Sequence, residues 1–152
     1  MDPVHRRIEE VYRNQSPRMW RALLGFTGDP EVATDAMAES FARALREGDA
    51  IRDVAAWTWR VAFRLAAAEL RGRRDSPSGW APTSYEMAEP VPELLAALKR
   101  LSPKQRLAVM LHDYADRPTS EVAQALGCSR ATVYVHLSQG RRRLQSLLED
   151  AR

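Results

Sequence analysis

Arg130, Arg141, Arg142 and Arg143 lie in a stretch that carries no acidic residue between Arg130 and Leu148. Interleaved with them are Thr132, Tyr134, Val135, Ser138 and Gln139. Guanidinium groups neutralise phosphates, Gln and Ser hydrogen-bond to base edges, and small side chains let a helix approach a groove closely. At helical periodicity Val133, Leu137, Leu144 and Leu148 fall on one apolar stripe. Ala131, Val135, Ser138, Gln139 and Arg142 then lie roughly opposite, flanked by Thr132, Tyr134, His136 and Arg143. The chemistry such a helix could do is recognition of duplex DNA through the major groove. A solvated surface helix with a basic carboxyl end, favoured by the helix dipole, is the plainer alternative.

A second constellation lies earlier in the chain. Arg60, Arg64 and Arg71 share one side of a helical wheel, with Trp59 and Phe63 beside them and Arg73 and Arg74 beyond Gly72. A basic stripe bordered by aromatics suits a phosphate backbone and an unpaired, stacked base. A basic rim around a core helix accounts for it equally well. No other chemistry is indicated. His5, His112 and His136 have no metal-ligand spacing, and the single Cys128 allows no internal disulfide. Without a Gly-rich phosphate loop or a nucleophile motif, neither an enzyme nor a cofactor is expected.

The elements that must position these residues are all helical. Residues 118–148 read as two helices with Gly127 at the end of the first and Ser129 capping the second, the spacing of a helix-turn-helix. Ser102-Pro103 starts the helix before them, running to about Asp113. Nearer the amino terminus, Asp29-Pro30 opens a helix over Glu31–Arg46, and a crowded apolar helix covers Asp53–Arg71. Breaks are expected at Ser16-Pro17, Gly28-Asp29-Pro30 and Gly48-Asp49. Residues 75–92 hold four prolines and no basic residue and read as a linker. The expected fold is therefore all-α, with two small helical domains, residues 1–74 and 93–152, joined by a flexible linker. Of the net charge of +3, the excess positive charge lies in the second of these. Neither a signal peptide nor a membrane span is apparent, so the expected location is the cytoplasm.

Nearly the full length resembles the extracytoplasmic-function sigma factors of bacterial RNA polymerase. LKRLSPKQRLAVML and EVAQALGCSRATVYVHLSQGRRRL are similar to the two motifs of that family's second domain. GDPEVATDAMAESFARAL and AWTWRVAFRLAAAELRGRR are similar to two helices of its first, called region 2, the second domain being region 4. The resemblance implies a sigma factor that directs promoter recognition and transcription initiation. Its partners would be core polymerase, through the β′ clamp and β flap, promoter DNA, and an anti-sigma factor. Asp35, Glu39 and Phe41 would contact core polymerase, and Trp59, Arg60, Phe63, Arg64 and Arg71 the −10 element. Arg130, Thr132, Tyr134, Val135, Ser138, Gln139 and Arg142 would contact the −35 element.

Thr34 and Ala38 replace the Glu and Gln of the family's clamp helix, and Arg64 and Ala68 replace its Asn and Asp. Positions 134, 136 and 139, often basic in the family, are Tyr, His and Gln here. Two other readings therefore compete. One is a dimeric helix-turn-helix regulator acting on free DNA. The other is a sigma-like protein that occupies polymerase without initiating.

Overall fold

In a computed structural model, which describes residues 2–73 and 92–151, every regular element is helical. Helix α1 spans Pro3–Thr27, α2 Pro30–Glu47 and α3 Val54–Gly72. Then come α4 (Pro92–Lys99), α5 (Pro103–Ala108), α6 (Thr119–Leu126) and α7 (Arg130–Asp150). A short 3-10 turn, Gly48–Ala50, precedes α3, and α5 continues into a π-helical turn over Val109–Tyr114. The linker expected over residues 75–92 falls, apart from Pro92, outside the described residues.

Local chemistry fixes the helix starts. Asp29 accepts from Glu31 N and Val32 N, and Asp53 accepts from Ala56 N. Ser102 and Gln105 form a reciprocal capping box. The break expected at Ser16-Pro17 does not occur: α1 runs straight through Pro17. Proline removes one backbone donor and ordinarily kinks a helix. Here Pro17 is exposed, where the orphaned carbonyl one turn earlier can take water, while Ile8, Met19 and Leu23 on the other face are buried. Burial of that stripe outweighs the missing hydrogen bond.

Helices α1, α2 and α3 pack as one bundle around Leu23, Phe26, Trp59 and Phe63. Helices α4 to α7 pack around Leu107, Leu111, Val122, Val133 and Leu137. The two groups do not stand apart. Their buried residues form one continuous cluster, with α1 against α4, α5 and the π-turn and α3 against α6. No helix among the described residues is long and apolar enough to cross a membrane.

Candidate nucleic-acid interface

Helix α6 buries Val122 and Ala123, and Gly127 ends it in the left-handed conformation that favours glycine, at φ 70°. Gly127 N and Cys128 N both donate to Ala123 O, at 2.8 and 3.0 Å, which turns the chain sharply. Ser129 then caps α7 by accepting from Thr132 N at 3.1 Å, and its hydroxyl lies 2.9 Å from that of Thr132. Val133 and Leu137 are buried, and α7 comes so close to α5 and the start of the π-turn that a Cβ on Gly140 would sit 3.0 Å from Val109 and 3.3 Å from Gln105.

This docking decides which side chains of α7 face outward. Tyr134 and Val135, about half exposed, share an open face with Ser138, Gln139 and Arg142. Arg130 is exposed at the amino end of the helix, and Thr132 is half-buried beside its cap. Gln139 is within 3.4 Å of Gln105 Nε2, a weak contact that leaves it available. An exposed tyrosine and valine on a helix face have no packing role there. They fit a surface meant to meet apolar groups such as thymine methyls, beside donors suited to base edges.

Arg141 differs from its neighbours. It has no acid nearby in sequence, yet it binds both carboxylate oxygens of Asp113, at 2.7 and 2.5 Å, and these hydrogen bonds hold its pKa above the usual arginine value. The π-turn places Asp113 for this, so Arg141 fastens α7 to the body of the fold. The acid-free basic run of the sequence thus contains one arginine neutralised through space.

The constellation on α3 is split by the fold. Trp59 and Phe63 do not border an open basic stripe: they are 1 % and 0 % exposed, near-parallel to each other and set against Phe26. The Trp59 Nε1–H donates to Gln15 at 2.7 Å. These rings fill the core, because α3 is covered by α1 and α2 on one side and by α6 on another, and in this arrangement they offer no open face. Arg71 is exposed. Arg60 and Arg64 are drawn to α6, where Arg60 donates to the Gln124 side chain at 2.7 Å and Arg64 to the Gln124 carbonyl at 2.5 Å.

On α2, Asp35 is exposed. Glu39 accepts from Arg43 at 3.0 Å and Arg46 at 2.9 Å, and these hydrogen bonds hold its carboxyl below the usual range. Phe41 is not a surface contact: it is 6 % exposed, covered edge-on by Tyr12 with ring centroids 5.1 Å apart. Thr34 takes a hydrogen bond from Trp20 Nε1 at 3.0 Å. The sequence reading missed Asp113, Gln124 and Arg106, which act across long separations that no helical wheel records. Among the described residues no His, Cys, Asp or Glu cluster could hold a metal.

Residues 92–144, comprising α4 to most of α7, match the family described as Sigma-70, region 4. The RNA polymerase sigma-E factor of Streptomyces antibioticus is 30% identical over 152 residues, 93% of this chain and 84% of that protein. The ECF RNA polymerase sigma factor SigJ of Mycobacterium tuberculosis is 33% identical over 134 residues, 76% of this chain, which spans only 43% of SigJ. In fold, the chain is similar to the sigma factor RpoE of Bartonella quintana, solved in complex with the anti-sigma factor NepR. The TM-score is 0.76 and the identity 21%, covering 95% of this chain and 98% of that one. A helix-turn-helix with an open basic face, an all-helical bundle before it, and near full-length similarity to such a relative lead to one conclusion: this chain belongs to the extracytoplasmic-function family of RNA polymerase sigma factors.

Proposed function

We propose that this sigma factor directs RNA polymerase to its promoters by a division of labour between its two helical groups. The α4–α7 group, over residues 93–152, reads the −35 element with Tyr134, Val135, Ser138 and Gln139, while Arg130 and Arg142 hold phosphates and Thr132 positions the helix start. The α1–α3 group, over residues 1–74, binds core polymerase through the exposed side of α2 around Asp35 and Glu39. Arg60, Arg64 and Arg71 of α3 meet the −10 element, with Trp59 and Phe63 as the core beneath them. The observation that carries this reading is the outward face of α7, where Tyr134 and Val135 are exposed beside Ser138, Gln139 and Arg142. An anti-sigma factor, the class of protein bound to the Bartonella relative, belongs to the same reading as an inhibitor.

Promoter-binding and core-binding assays on point variants test the division. Gln139→Ala and Arg142→Ala should weaken promoter binding by the holoenzyme while leaving affinity for core polymerase intact. Asp35→Arg should weaken affinity for core polymerase, by reversing a charge on the exposed side of α2. Equal loss of both functions in either α7 variant, or unchanged core affinity in Asp35→Arg, would contradict the division.

A further inference from the structure

Gln105 on α5 and Gln139 on α7 stand 34 positions apart in sequence and meet through their side-chain amides. They meet beside Gly140, where a Cβ would lie 3.3 Å from Gln105 Cβ and 3.4 Å from the Gln105 carbonyl oxygen. The hydrogen bonds through Gln105 form a directed chain. Ser102 N donates to Gln105 Oε1 at 3.2 Å, and Gln105 Nε2 donates to Gln139 Oε1 at 3.4 Å. A backbone N–H can only donate, so it fixes which end of the Gln105 amide is oxygen. The Gln105 NH2 group is thereby left facing α7, where only an acceptor can meet it. Turning the Gln139 amide round would set two N–H groups against each other. The cap of α5 thus dictates the orientation of a side chain on the recognition helix. Gln139 is exposed, and with its oxygen engaged toward α5 it offers its Nε2–H donors outward.

We propose that Gln105 is a positioning residue for base recognition, holding the Gln139 amide as a hydrogen-bond donor toward the major groove. The inference rests on the assignment of Gln139 to the −35 element. In the major groove guanine offers two acceptors, N7 and O6, thymine offers O4 and adenine N7, whereas cytosine offers only its N4 donor. A glutamine free to turn serves adenine best, because its oxygen and nitrogen pair with N6 and N7 together. With the oxygen committed to Gln105, the side chain instead favours guanine and rejects cytosine. Specificity at that base is then set jointly by α5 and α7.

Substitution at position 105 tests this, because Gln105→Glu keeps the cap and reverses the donor. The new carboxylate accepts from Ser102 N as the amide oxygen does, an arrangement favoured at a helix start. It has no N–H to give Gln139 and accepts from the Gln139 amide instead, which turns the Gln139 oxygen outward. The readout is initiation by the full chain with core polymerase on a promoter mapped for wild type, each −35 position being varied through all four bases. Gln139→Ala identifies the position that this side chain reads, by removing discrimination there alone. At that position wild type should favour guanine over cytosine by about fivefold or more. Gln105→Glu should reverse the order, preferring adenine and cytosine, which carry an amino donor, over guanine by about fivefold. Gln105→Met, of similar size but without hydrogen bonds, should narrow the guanine–cytosine difference to within about twofold.

A wild-type preference for cytosine, an unchanged guanine preference in Gln105→Glu, or an equal loss on all four bases in that variant would overturn the positioning role. If Gln139→Ala relaxes one position and Gln105→Glu leaves that position untouched, the positioning role falls and the −35 assignment stands. If Gln139→Ala leaves every −35 preference unchanged, the assignment of Gln139 falls and the positioning role with it.

Discussion

Adjacent arginines of α7 have different surroundings, and the difference has a measurable consequence. Arg142 lies free on the outward face, whereas Arg141 is held by Asp113. Replacing Arg142 with alanine should reduce the salt dependence of promoter binding by about one unit of slope, as expected for one lost phosphate contact. Arg141→Ala should leave that slope unchanged and lower stability by no more than about 1 kcal/mol, since the pair is substantially exposed. Titration of binding against salt, beside urea denaturation, separates the two. Trp59 belongs to another class: its ring is buried and its Nε1–H is paired with Gln15. Trp59→Ala should cost about 3–5 kcal/mol of folding stability in denaturant unfolding. A Trp59 variant of normal stability that fails only in promoter opening would contradict its placement in the core.

At the scale of elements, caps and turns carried the most legible signals. Asp29-Pro30, Ser102-Pro103 and Gly127-Ser129 each stand at an observed helix boundary, because each names a backbone requirement met within a few residues. Ser129→Ala should therefore destabilise the chain by about 1 kcal/mol in thermal or denaturant unfolding, through loss of the hydrogen bond to Thr132 N. Pro17 misled the sequence reading for the complementary reason: whether an interior proline breaks a helix depends on what the rest of that helix buries. The π-turn over Val109–Tyr114 was not legible either. One backbone bond, from Ala115 N to Met110 O at 3.0 Å, marks the wider turn. Its consequence, the placing of Asp113 toward Arg141, lies twenty-eight positions away in sequence.

At the scale of the whole molecule, the order of helices and the outward face of α7 could be read from periodicity, because they depend on contacts within one helix or between neighbours. The seam between the helical groups could not. Arg60 meets Gln124 over a separation of 64 residues and Arg106 meets Phe26 over 80, and each residue reads locally as an ordinary surface polar group. The same tertiary burial separated the aromatic from the basic half of the α3 stripe, which a wheel shows as adjacent.

The central claim is that this chain is a sigma factor whose α7 face selects the promoter. Run-off transcription tests it most directly, using bacterial core polymerase, fragmented source DNA and this protein, with the RNA 5′ ends mapped for wild type and Arg142→Ala. The account predicts discrete starts sharing −35 and −10 elements with wild type, and a lower yield from those starts with Arg142→Ala while core binding is retained. No discrete starts with wild type, or the same starts at the same yield with Arg142→Ala, would contradict it.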